Sequence, residues 1–125
     1  MSDINPARPA PGAALIALDK VKCPGAVALD FRAGDCLYSV IVARDEFGVH
    51  AYENECPHMR APLERFDGVM IVRQPYLICA MHGASFRIRD GACVGGPALG
   101  TALKRETITV ENGIVLLGAW RGTAG

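Results

Sequence analysis

Two short segments constrain this chain more than anything else in it: Cys56-Pro57-His58, and Cys79-Ala80-Met81-His82 followed by Gly83-Ala84-Ser85-Phe86. Each joins one thiol to one imidazole, and twenty residues separate His58 from Cys79. Two sulfur and two nitrogen donors suit a single tetrahedral zinc, or a pair of irons with sulfur ligands on one and nitrogen ligands on the other. Zinc sites generally pair like ligands in each half. Here both halves pair a Cys with a His, at different separations, and that mixed order favours iron and sulfur. A structural zinc module without redox activity stays open as the alternative. The bland reading is two core cysteines and two ordinary histidines.

The remaining cysteines fit a reducing compartment. Five is an odd number, scattered at 23, 36, 56, 79 and 93 without the paired density of a disulfide-stapled secreted domain. Cys23, Cys36 and Cys93 read as small buried hydrophobes with no assigned role. At 125 residues, half of them hydrophobic, the chain has room for one domain. Thirteen basic residues balance thirteen acidic ones, so no net field draws it to nucleic acid or to an anionic membrane. It has no run of about 20 apolar residues that could span a bilayer and no basic-then-apolar leader, so the expected location is the cytoplasm.

Residues 1–12 carry Pro6, Pro9 and Pro11 among small residues and read as a flexible arm. Beyond it, apolar runs at 14–18, 26–31, 37–42, 49–52, 85–89, 106–110 and 114–117 alternate with turn residues, so the fold expected over residues 13–120 is all-β, a small antiparallel sandwich or barrel. Asn112-Gly113 between two such runs is the strongest hairpin signal. The continuous run 114–117 suggests a strand buried on both faces.

The pattern C-x-H, then C-x-x-H-G, then the Gly95-Gly96-Pro97 loop resembles the Rieske family. The likeness runs over residues 13–117, strongest in the two ligand segments. It implies a cluster-binding subdomain built from two ligand loops and holding one 2Fe-2S cluster. Cys56 and Cys79 would bind the inner iron, and His58 and His82 the outer iron near the surface. The third loop would cover the cluster. The main departure is the length between His58 and Cys79, a few residues more than the family usually carries, and we place the excess near Phe66-Asp67-Gly68. His50 reads as a surface or packing residue, and Met59 and Met81 as apolar cover.

What the resemblance implies about function is electron transfer. Ring-hydroxylating oxygenases of the family need a further iron bound by two histidines and a carboxylate, and only His50 is left for it. No glycine-rich dinucleotide fingerprint marks a reductase. The chain is therefore expected not to be catalytic alone. It resembles ferredoxin components that pass single electrons from a reductase to a terminal oxygenase or similar acceptor, or else the small subunit of a nitrite reductase-like complex.

High-potential members carry two more cysteines that bridge the ligand loops, where this chain has Ala61 and Met81. They also carry serine and tyrosine hydroxyls that bond to cluster sulfur, where this chain has Ala84 and Phe86. Hydrogen bonds to sulfur stabilise the more negative reduced cluster, so the potential is expected toward the low end of the roughly −150 to +300 mV Rieske range. Potentiometric titration checks this: Ala84→Ser and Phe86→Tyr should each move the midpoint upward, and a wild-type value well into the positive range contradicts it.

Overall fold

A computed structural model of the chain describes residues 5–57, 61–64, 68–81 and 83–119. Among the described residues ten short strands make three antiparallel sheets. One pairs β1 (Ala14–Ala17), β10 (Ile114–Leu117) and β9 (Ile108–Glu111) in that order. A second is the meander β2 (Gly25–Ala33), β3 (Cys36–Asp45) and β4 (Gly48–Glu53). The third runs β5 (Ile71–Arg73), β6 (Tyr76–Ile78), β7 (Ser85–Arg87) and β8 (Cys93–Gly95). A 3₁₀ turn at Leu18–Lys20 links the first sheet to the second. No described helix is long and apolar enough to cross a membrane.

Turn chemistry fixes the registers. Ala33 faces Cys36 across a two-residue loop whose first residue, Gly34, has φ +58°. At the next corner the Asp45 carboxylate accepts the Phe47 N–H at 3.0 Å. Asn112 and Gly113 take φ 53° and 77°, the left-handed pair that a tight hairpin between Glu111 and Ile114 requires.

The meander is the middle layer because β3 is apolar on both sides. Ile41 and Ala43 pack with Leu77, Phe86 and Ile88 from the four-stranded side. Val40 and Val42 face the other way, toward Ala7 and Tyr38 in one cluster and Val21 and Val115 in a second. Each strand's period of two thus supplies two cores from one backbone.

Three expectations need correction. Residues 114–117 are not buried on both faces: Val115 and Leu117 are buried, whereas Ile114 and Leu116 are half-buried, because only one side of β10 meets the middle layer. Strands β5, β6 and β8 fall outside the apolar runs expected to be strands, since three residues are too few to display alternation. Residues 5–12, expected to be a free arm, are tied down. The Asn5 amide donates to the Leu37 carbonyl at 2.8 Å and the Gly12 N–H to that of Leu117 at 2.7 Å. Arg8 is buried, its guanidinium bidentate on Glu106 at 2.9 and 3.1 Å and also donating to the Gly118 carbonyl at 2.9 Å. Proline-rich composition hides this, because the stabilising partner lies 98 positions away.

The Tyr38 hydroxyl donates to the same Glu106 carboxylate. Burial, reinforced by Glu106, pushes its pKa far above the ordinary 10.0. Burial likewise pushes Tyr52, whose hydroxyl donates to the Ile88 carbonyl at 2.5 Å, up to about 12, with Arg105 pulling the other way. Both phenols keep their protons in the fold at pH values where the unfolded chain has lost them, so their contribution is complete below about pH 10 and declines above it. Urea unfolding from about pH 9 to about pH 11 should show stability falling by about 1.4 kcal/mol per pH unit for each tyrosine once pH 10 is passed. Tyr38→Phe should make that fall shallower; an unchanged slope contradicts the assignment.

Candidate metal centre

Both cysteine segments leave the ends of strands. The first loop departs from β4 and reaches Cys56 three residues beyond Glu53. The second connects β6 to β7, which are paired through Ile78 and Ser85, and begins at Cys79. Each loop closes on its own cysteine. The Cys56 N–H donates to the Ala61 carbonyl at 2.8 Å; the Cys79 N–H donates to Ala84 at 2.8 Å, and the Gly83 N–H returns to the Cys79 carbonyl at 2.9 Å. The loops are then joined to each other by the Ala80 N–H donating to the Leu63 carbonyl at 2.9 Å.

These bonds bring two of the four proposed ligands together. Cys56 and Cys79, each 1% exposed, belong to one apolar cluster with Leu63, Ala84 and Phe86, and neither is in a disulfide. Two buried thiols in one apolar cluster, on two loops braced by backbone hydrogen bonds, fit the sulfur half of a mixed sulfur and nitrogen donor set. His58 and His82 lie outside the described residues, as do Met59, Phe66 and Asp67.

The Gly95-Gly96-Pro97 loop abuts the second ligand loop. Gly96 has φ +86°, and a Cβ there would stand 2.8 Å from the Ala84 Cα and 3.3 Å from the Gly83 carbonyl oxygen. The Cys93 N–H donates to the Thr101 carbonyl at 2.9 Å, closing the base of this third loop, while the Cys93 thiol donates to Gly95 at 3.2 Å. Below the loops the Tyr52 ring fills the space at Gly91, where a Cβ would approach it to 2.8 Å. Met81, expected as apolar cover, is 56% exposed, and Leu99 on the third loop is 67% exposed. His50 stands apart, at the β3–β4 corner, its Nε2 3.0 Å from the Asp45 carboxylate.

Sequence reading passed over Asn54. It is buried at the mouth of the first loop, with its side chain bonded to Leu63, Glu64 and Ser39. The available signal was its position: an amide two residues before Cys56, where the strand alternation stops.

Comparison with known proteins places this arrangement. The Rieske 2Fe-2S domain family matches residues 17–111. No curated protein matches the chain. Among solved structures, the ferredoxin of carbazole 1,9a-dioxygenase from Nocardioides aromaticivorans IC177 is similar over 87% of this chain and 98% of its own, at 25% identity and a TM-score of 0.65. A Sphingomonas yanoikuyae B1 ferredoxin is similar over 86% and 98%, at 24% identity and TM-score 0.66. The terminal oxygenase of carbazole 1,9a-dioxygenase from Novosphingobium sp. KA1 shares the fold over 87% of this chain and 29% of its own, at 23% identity and TM-score 0.66.

The close approach at Gly96 is testable. Gly34→Ala, with φ +58° but open space around its Cβ, should cost about 1 kcal/mol for the left-handed conformation alone. Gly96→Ala adds a collision with backbone, so its loss should be about 3 kcal/mol, accompanied by poorer iron retention. Equal effects of the two substitutions in denaturant titrations contradict the packing described.

Proposed function

The chain belongs to the Rieske 2Fe-2S domain family, and we propose that it is a ferredoxin-type carrier of single electrons, working in the cytoplasm between a reductase and a terminal oxygenase or comparable acceptor. The bound cluster supplies reversible one-electron chemistry. Cys56, Cys79, His58 and His82 would hold the cluster, the cysteines through sulfur and the histidines through nitrogen. The observation that carries this reading is the burial of Cys56 and Cys79 in one apolar cluster on adjoining loops.

What the chain's own residues do is bind and shield. The closed turns at Cys56 and Cys79 fix the donors, and Leu63, Ala84 and Phe86 keep water from the sulfur side. Met81 and Leu99 stand on neighbouring loops as exposed apolar side chains, suited to a small, transient docking contact. In carbazole 1,9a-dioxygenase a ferredoxin forms a complex with the oxygenase, and we assign this chain the corresponding position. Of the chain's three histidines, His58 and His82 are assigned to the cluster and His50 faces Asp45, which favours an electron-transfer role over a substrate-oxidising one.

Anaerobically purified protein should be red-brown, contain about two irons per chain and show the paramagnetic signal of a mixed-ligand cluster on reduction. Cys56→Ser and Cys79→Ser should abolish the colour and the signal while leaving a β-rich far-ultraviolet spectrum. Colourless protein with stoichiometric zinc overturns the reading.

A further inference from the structure

Asn54 uses every polar atom of its side chain on the architecture around the ligand loops. Its Oδ1 accepts the Leu63 N–H at 2.8 Å, and its Nδ2 donates to Glu64 Oε1 at 2.6 Å and to Ser39 Oγ at 3.0 Å. Its own N–H donates to the Ser39 carbonyl at 3.0 Å, anchoring it to the middle sheet. The Leu63 peptide is therefore held at both ends, its N–H by Asn54 and its carbonyl by the N–H of Ala80, the residue that follows Cys79. A continuous chain of hydrogen bonds runs from β3 through Asn54 and Leu63 into the second ligand loop, and no disulfide crosslinks the two loops.

We infer that Asn54 is a positioning residue for the cluster, setting the placement of the Cys56 loop against the Cys79 loop through the shared Leu63 peptide. The inference rests on the electron-carrier reading above. Only an amide of this length meets the demand. One acceptor and two donors are needed at once, and a carboxylate would face the Glu64 oxygen, now 2.6 Å away, as a like charge. Partners that orient metal ligands from outside the coordination shell typically change retention of the metal 10- to 100-fold when removed.

The test compares whole, cluster-loaded proteins by three readouts: decay of visible absorption on warming, the g-values of the reduced cluster, and the midpoint potential. Asn54→Ala should lose its cluster roughly tenfold faster or more, with displaced g-values and potential. The double variant Asn54→Asp/Glu64→Gln exchanges donor and acceptor at unchanged net charge, keeping the Leu63 and Glu64 contacts but losing the one to Ser39, whose hydroxyl donates to Asp30 at 2.6 Å, and should recover most of the change in all three readouts. Val115→Ala, in the core on the opposite side of the middle sheet, should lower thermal stability but leave g-values and potential at wild type. Should Asn54→Ala yield no folded protein, Glu64→Ala takes its place, removing one partner from a half-buried side chain, with the same displacements at smaller amplitude. Wild-type g-values and potential in the single variant, or a double variant no better than Asn54→Ala, overturn the inference. Absence of any iron signal in the wild type would instead sink the electron-carrier reading, and this inference with it.

Discussion

The hydrogen bond from the Ala80 N–H to the Leu63 carbonyl ties the loop that carries Cys56 directly to the loop that carries Cys79. One ligand loop hangs from the three-stranded meander and the other from the four-stranded sheet, so the separation of their thiols depends on how two layers sit against each other. Leu63 is fully buried, which removes water as a competitor and makes that bond stronger and costlier to break than the same contact at the surface. The turns closed at Cys56 and Cys79 set each thiol within its own loop; this bond sets one loop against the other.

Much of the site is legible in the chain. The pairing of Cys with His in each half, at unlike spacing, favours an iron-sulfur cluster over the common zinc patterns, and the glycine at 96 marks a backbone approach that a Cβ would block. Hairpin corners are equally plain, since Asn112-Gly113 and Gly34 advertise the conformations they adopt. What stays hidden is whatever depends on neighbours. The apolar runs at 40–43 and 114–117 look alike as letters, yet only the first is wholly buried, because β3 is central and β10 meets the meander on one side. Strands of three residues leave no period to detect. Asn54 carries no motif of its own, and its importance comes from Leu63 and Ser39, which the sequence does not place beside it.

The Arg8, Glu106 and Tyr38 group illustrates a different kind of concealment. An arginine among prolines looks like solvated surface, but here its charge is met by a bidentate carboxylate that also accepts a phenol. Such a network is tolerable in the interior only when all its members are bonded, and no described buried side-chain nitrogen or oxygen lacks a partner. Residues 5–12 thus close the β1, β9 and β10 side of the molecule, on the other face of the meander from the cluster that holds the two thiols.

Because β3 gives alternate side chains to both faces, the molecule has no layer that can be shed by itself. Loosening the Val40 and Val42 face weakens the hold on the same strand from which Ile41 and Ala43 pack into the cluster that contains the cysteines. Damage at the far wall therefore costs the whole stack stability while leaving the local geometry of the cysteine loops to their own hydrogen bonds. A fold built this way supports its cysteine loops by making the β-stack one mechanical object.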